Sequence, residues 1–534
     1  MKKRILLVSL GLVALSGCAL EPLANHFVPE RQLDTLAKTK ILKHYEDLGD
    51  DSMAGIGTSK VAVIPVWFLD SYDFYSPVEK YKMLDAINKA FFGTPQEVGW
   101  HSVKSYYEAE SFGLFHLGGK ASYWFDYPGY SSEFYSFTQS KRVSFLRQAT
   151  DYFFAANPLE DRLSYDADGD GFLDLVSLIY AAPDYATAGR SEDSMWAFRS
   201  YLDEESLRDV TNPGPNNFFW ASTDFLSGGI QAMTNSKVRI STETFIHEFG
   251  HGFGIVDYYD YNNWYGPAGD ATMQDHNVCG HDPYSVMAIG WADPYIPTES
   301  MTLTIGAFQS THDMILLTPE WNSIDSVFDE YVLLELYTSS GLNEYHDVEG
   351  LWLNDNFYNW HHTDEVGIRL WHVDARLTER IDRGEFVMPR YTYSEDLVVD
   401  PSIPNTLHAM TNTYPVDGGK NECCSPLGSA YYDYNLLELI QRSEWMSAPS
   451  EALEFIQYLF QEGDGWSLSP DKMGKYGRDE QGNLDFSTYY WDTGRYFVND
   501  AKLNSGKDLG WSFVIEKIEG TGDEATATIR LIKD

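Results

Sequence analysis

A helix has to carry the first part of Thr244–Asp260, and Gly254 can stop it. The stretch Thr244 to Asp260, TFIHEFGHGFGIVDYYD, can bring its chemistry-bearing residues together only in that geometry. Residues four apart share a helix face. His247 and His251 can therefore direct imidazole nitrogens at one ion. Glu248, beside the first histidine, can reach a water bound to that ion and act as its base. Gly254 can end the helix with a left-handed residue and turn the chain back. Asp257, three residues on, then supplies a third ligand oxygen, with Asp260 as the alternative carboxylate. A fourth position left open for water separates a catalytic zinc site from a structural one. Thr244, Phe245, Ile246, Phe249 and Phe253 are bulky or apolar, as a buried helix requires.

With 534 residues, two or three domains are expected. Residues 1–17 read as a lipoprotein signal peptide. Lys2, Lys3 and Arg4 precede an apolar run, Ile5 to Leu15, too short to span a bilayer. The run closes in Leu15-Ser16-Gly17-Cys18, similar to a bacterial lipobox. Cleavage would fall before Cys18 and lipidation on its thiol, so the membrane partner is a lipid tether. The expected location is outside the cytoplasm, on the outer membrane if the host has two, with release left open. The formal net charge of −42 disfavours nucleic acid as a partner. It suits solubility outside the cell, or several calcium sites. Cys279, Cys423 and Cys424 remain, an odd number without a C-x-x-C pair. A bridge between the adjacent pair, or one of them to Cys279, both stay open.

Residues 18–58 read as a tether or pro-like segment with one short helix, Glu30 to Asp47. Residues 59–297 alternate strand and helix, the pattern of an α/β (α+β) domain. Expected strands are Lys60–Asp70, Ala121–Tyr127 and Leu175–Ala181, with helices Glu79–Phe92, Ser102–Phe112 and Arg142–Asn157. A loop-rich stretch, 182–240, ends in an edge strand at Lys237–Ser241. Within this half, Asp166, Asp168, Asp170 and Asp174 occupy positions 1, 3, 5 and 9 of a loop with Gly171 at 6. With the carbonyl of Phe172 at position 7, this is how an oxygen cage for structural Ca2+ is built. Position 12 is Ser177 rather than the usual Glu.

Residues 298–534 turn β-rich, with strands at Met301–Phe308, Tyr331–Tyr337, Val366–Val373, Trp511–Ile518 and Ala525–Ile532. A sandwich-like domain is expected. A loop-rich insertion at about 396–500 carries one helix, Leu453–Gln461. His361, His362 and His372 read as structural histidines beside strands.

The run His247 to Asp260 resembles the zinc motif of the immune inhibitor A family of secreted bacterial metallopeptidases, which are metzincin-type enzymes. Ser102–Glu108, Tyr165–Asp174, Gly266–Met273, Asn277, His281, Ser285, Ala288–Trp291, Glu330–Glu335 and Gly367–Asp374 resemble other family segments, over about residues 60 to 375. The resemblance implies a metzincin-like zinc-protease catalytic domain. It implies one catalytic Zn2+ on His247, His251 and Asp257, with Glu248 as general base. It also implies a methionine turn, at Met273 rather than Met287, which sits in a core helix. Thr272 and Gln274 depart from the apolar or acidic residues that relatives often carry there. Tyr258, Tyr259, His276, His281 and Tyr284 lie near enough in sequence to offer an oxyanion donor, and sequence selects none. The expected activity is hydrolysis of peptide bonds in protein or peptide substrates, by a monomer. The alternative is a proteolytically inactive surface binding module on the same scaffold. The presence of Glu248 and every ligand favours the enzyme.

Overall fold

The computed structural model describes residues 53–184, 196–202, 204–226, 240–259, 267–269, 271–277, 279–320, 326–344, 365–376, 435–440, 458–468 and 501–534, with Phe497 and a few short strand segments between them. The signal peptide, Cys18, the Glu30–Asp47 helix, Asp260, His361, His362, Cys423, Cys424 and most of Lys237–Ser241 lie outside the described residues.

The apolar run after residue 57 forms the central strand β1 (Gly57–Trp67). A capped helix α1 (Pro77–Phe92) follows, in which the Ser76 side chain accepts from the Glu79 backbone, Glu79 reaches back to the Ser76 backbone, and Pro77 fills the first turn. Then come α2 (Val103–Glu110), β2 (Phe115–Ala121), β3 (Phe125–Asp126), α3 (Gln139–Ala156) and β4 (Leu175–Tyr180). β5 (Phe198–Tyr201), β6 (Asn217–Ser222) and α4 (Glu243–Gly250) complete this part. The sheet runs in the order β2-β1-β4-β6-β5, with β3 continuing alongside β1. All pairings are parallel except that of β5 with β6 at the edge.

Both faces of this sheet are covered. Val61, Val63 and Trp67 of β1 point into a core shared with α1, α2 and α4. Ala62, Ile64 and Val66 point into a second core built on α3. Strands buried on both sides read as continuous apolar runs, which is why β1 and β4 were legible. Each fully buried Val or Ile contributes roughly 1.5–3 kcal/mol.

The strand expected at Ala121–Tyr127 lies earlier in the chain and is split. β2 ends at Ala121, and β3 holds only two residues. Glycines in β2 hide it from propensity. Gly119 has φ +117°, and a Cβ there would collide with the carbonyl of Val61 across the strand pair. The stretch 182–240, expected as loop, carries β5 and β6.

A second sheet follows, with β8 (Met314–Leu317), β9 (Glu330–Tyr337), β10 (Gly367–Asp374) and β11 (Leu437–Leu439) antiparallel in that order. β7 (Met301–Gly306) joins a third antiparallel sheet of order β12-β13-β14-β7, where β12 is Gly465–Ser467, β13 Trp511–Glu519 and β14 Thr526–Lys533. Side chains alternate along a strand. Tyr331, Leu333 and Tyr337 of β9 thus join the core of the first half, while Val332, Leu334 and Leu336 join a core with Phe513 and Ile529 of the third sheet. The second sheet is a shared wall. The helix expected at Leu453–Gln461 does not extend through its described end, because Phe460 makes an antiparallel bridge to Ile368 instead. The whole is a mixed α/β protein with several sheets. No helix among the described residues is long and apolar enough to cross a membrane.

Candidate metal centre

α4 is short because its chemistry ends it. Its first turn is closed by Glu243, whose carboxylate accepts from the Ser241 hydroxyl (2.6 Å) and the Thr242 backbone (2.8 Å). Phe245, Ile246 and Phe249 anchor it in the core. Tyr107 of α2 braces it, with its hydroxyl donating to the Ile246 carbonyl at 2.6 Å. The helix tightens into a 3₁₀ turn over His251–Phe253 and stops at Gly254, whose φ is +90°. That left-handed residue is the helix stop expected from the sequence, and it turns the chain so that Asp257 returns to the histidines.

The three side chains converge. Asp257 Oδ1 lies 2.9 Å from His247 Nε2 and 3.2 Å from His251 Nε2, and the imidazole rings stand edge to face at 4.8 Å. Tetrahedral ligands about 2.0–2.1 Å from zinc sit about 3.3 Å apart. Two imidazole nitrogens and one carboxylate oxygen at such spacing fit a divalent metal with a position to spare. The two imidazoles hold the Asp257 carboxyl well below the usual carboxylate range despite its burial.

Each histidine is held by its other nitrogen. His247 Nδ1 lies 2.9 Å from the Met273 carbonyl, and His251 Nδ1 lies 2.9 Å from the Ile255 carbonyl. Carbonyls only accept, so both Nδ1 atoms carry hydrogen, and each Nε2 is the nitrogen that would give up its own hydrogen to offer a lone pair to a metal. Glu248 is buried beside them, and its Oε2 has no partner. Burial raises its carboxyl to about 8.

The floor is a turn, Met273–His276, ended by Asn277 at φ +57°. Met273 is fully buried in the main core, and so is Met287 in α5 (Pro283–Ala288). Asp282 caps α5 and ties it to the turn, accepting from the Ser285 backbone (2.9 Å), the Ser285 hydroxyl (2.8 Å) and the Thr272 hydroxyl (3.0 Å). The candidate oxyanion donors separate. The Tyr258 hydroxyl is engaged with Ser285 at 2.6 Å, and the Tyr259 ring stacks near His247 at 6.4 Å. His281 is buried among Tyr106, Tyr107 and Trp291, and burial lowers it to about 3, so it is neutral. The His276 side chain lies outside the described residues. Sequence reasoning passed over Gln274 as a neighbour of His251, 23 positions away, although its carboxamide lies 3.2 Å from His251 Nδ1.

The aspartate loop also gathers. Asp166, Asp168 and Asp174 bring carboxylate oxygens together, while Asp170 turns to Arg208 at 3.1 Å and accepts from the Phe172 backbone at 2.7 Å. Gly169 and Gly171 both have positive φ. Asp166 Oδ1 and Asp174 Oδ2 are buried without a partner. Burial raises the Asp174 carboxyl to about 7 and raises Asp166 as well. Ser177 is inside β4, in the sheet rather than the loop. Cys279 is a buried free thiol.

Residues 67–274 match the family model described as immune inhibitor A peptidase M6, catalytic domain. Over 213 residues the chain is 26% identical to a protein named pre-pro-metalloprotease PrtV in two strains of Vibrio cholerae serotype O1, M66-2 and El Tor Inaba N16961. That alignment covers 35% of this chain and 22% of each relative, so the chain spans about a fifth of the length of these relatives. The family match runs from the last residue of β1 to Gln274, includes both the aspartate and the histidine clusters, and is that of a metallopeptidase hydrolase, which implies a bound metal. Residues 67–274 of this chain are similar to the catalytic domain of the immune inhibitor A peptidase M6 family.

Proposed function

We propose that this chain is a zinc metalloendopeptidase, held outside the cytoplasm by a lipid on Cys18 and acting on protein or peptide substrates. The observation that carries the reading is the convergence of His247 Nε2, His251 Nε2 and Asp257 Oδ1 beside the buried Glu248, whose Oε2 has no partner. His247, His251 and Asp257 are the zinc ligands. Zinc bound there supplies Lewis acidity, acidifying the attacking water and polarising the peptide carbonyl. A cation on the histidines would offset the burial that raises Glu248 and favour its ionised form, which accepts the proton of the attacking water and delivers it to the leaving amine. The carbonyls of Met273 and Ile255 keep the two imidazoles oriented throughout. Met273 is the methionine of the turn beneath the site.

Asp166, Asp168, Asp174 and, through its loop position, Asp170 hold a structural Ca2+, with the Phe172 carbonyl as a further ligand. The two buried carboxylate oxygens without partners favour an ion there. Residues 1–17 are the signal, 18–58 a tether or pro-like segment, 59–297 the metzincin-like catalytic domain, and 298–534 a β-rich, sandwich-like domain with an insertion at about 396–500. The shared core of the second and third sheets supports that last boundary. The chain acts as a monomer.

The test is to purify the chain from residue 19 onward, quantify its metal, and compare casein cleavage with that of Glu248→Ala. The expected result is near one zinc per chain in both and activity only in the unsubstituted protein. Equal cleavage by the variant overturns the enzyme reading. Zinc without cleavage by either protein favours an inactive binding module.

A further inference from the structure

His251 Nδ1 has two neighbours that cannot both be as they first look. The Ile255 carbonyl at 2.9 Å only accepts, so Nδ1 bears hydrogen. The Gln274 carboxamide lies on the same nitrogen at 3.2 Å. With its NH2 toward His251, two donors would face each other. Its oxygen would meanwhile sit buried with no partner. The two ends of a carboxamide have nearly the same shape, so the hydrogen-bond network decides between them. Turned end for end, Gln274 accepts from His251 Nδ1–H through its oxygen.

Its NH2 then occupies the other end, beside Tyr107. That end and the Tyr107 hydroxyl lie 2.5 and 2.8 Å from the point where a Cβ on residue 250 would sit. The Tyr107 hydroxyl gives its hydrogen to the Ile246 carbonyl and keeps lone pairs to accept. His251 Nδ1–H then gives to the Gln274 oxygen, and the Gln274 nitrogen lies toward Tyr107, whose hydroxyl is tied to the backbone of α4. The backbone carbonyl of Gln274 is fixed as well, accepting from Tyr258 at 2.9 Å. Gly250, between the two histidines, is the residue that leaves room for the carboxamide.

We propose that Gln274 is a positioning residue for His251, holding Nδ1 protonated and Nε2 available to the metal, and that Gly250 is glycine so that Gln274 can reach it. This rests on the zinc reading above. Partners of this kind typically contribute 10–100-fold to metal affinity.

The test is zinc affinity by competition with a chelator, on the full chain, for wild type, Gln274→Leu, Gln274→Glu, Gly250→Ala and His251→Ala. Gln274→Leu removes one of the two acceptors facing Nδ1–H, leaving the Ile255 carbonyl, and should weaken zinc by about 10-fold, the low end of that range. Gln274→Glu keeps an acceptor and should stay within a few-fold of wild type, and Gly250→Ala should weaken zinc by displacing the carboxamide. Wild-type affinity in Gln274→Leu or Gly250→Ala overturns the proposal, as does Gln274→Glu being as weak as Gln274→Leu. Failure of wild type to take up zinc, or undiminished affinity in His251→Ala, overturns the zinc reading itself and this inference with it. Loss of zinc in His251→Ala beside unchanged Gln274→Leu overturns only the role of Gln274.

Discussion

His247 Nδ1 lies 2.9 Å from the backbone carbonyl of Met273, so the Met273–His276 turn holds this imidazole through its main chain rather than its side chain. The Met273 side chain is fully buried in the core. Its contribution is therefore packing that keeps the carbonyl in place. Met273→Leu conserves volume and should cost less than about 1.5 kcal/mol, with zinc affinity kept. Met273→Ala should cost about 2–5 kcal/mol. Urea melts paired with zinc titration check both, and loss of zinc in a well-folded Met273→Leu would show a direct role for the sulfur.

Gly254 joins the helix bearing His247 and His251 to the segment bearing Asp257. Its φ of +90° costs an L-residue roughly 1–2 kcal/mol. Gly254→Ala should destabilise the protein by that amount and also weaken zinc, since Asp257 is aimed by this turn. Gly254→Asn, a residue that tolerates the left-handed region better, should recover part of both. Equal zinc affinity in Gly254→Ala and wild type would mean that the turn does not set the Asp257 position.

The histidine centre was legible because its information is local. Four-residue spacing, a helix stop and a returning aspartate lie within eleven residues of His247, and backbone geometry alone relates them. β9 was legible for a different reason: buried on both faces, it reads from Tyr331 to Tyr337 as an apolar run interrupted only by Glu335. What escaped were features fixed by distant partners. β2 carries two glycines because β1 approaches it closely at Gly119. β6, NFFWAS, becomes a strand between β4 and β5, and β4 lies about 40 residues earlier. Gln274 reaches His251 only after the chain has closed the turn at Met273–His276.

The aspartate loop predicts a calcium-dependent stability. Asp166 Oδ1 and Asp174 Oδ2 are buried without partners, a cost that a bound cation removes. Calcium at a hundred times its dissociation constant should stabilise the protein by about 2.7 kcal/mol. Chelation should lower the melting temperature of wild type. The double variant Asp168→Ala, Asp174→Ala should melt lower and lose its response to calcium. An undiminished calcium response in that variant would place the ion elsewhere or nowhere.

His372 predicts how stability falls at alkaline pH. Its fully buried imidazole lies between Glu438, 3.0 Å from Nδ1, and Glu330, 3.0 Å from Nε2. Burial alone would push the imidazole down, but the two carboxylates outweigh it and lift it to about 9. The Glu330 oxygens also accept from the backbone amides of Asn504 and Ser505, so the same group pins the approach to β13. Arg376 pairs with Asp374 at 2.7 Å and lies 3.8 Å from Glu330, and Asn435 donates to Glu438 at 2.8 Å. A histidine raised in the folded state stabilises fully below its unfolded value of about 6.5. That stabilisation is lost as pH rises through about 9. The same pairing holds Glu330 low, which keeps the stabilisation intact down to the ordinary glutamate range. His372→Gln leaves two buried carboxylates without their cation and should cost about 3–5 kcal/mol near pH 6. Near pH 10 the wild-type imidazole is itself neutral, and the gap between the two proteins should shrink. Urea unfolding at both pH values measures it, and a gap that stays constant would mean that His372 is not charged in the folded protein.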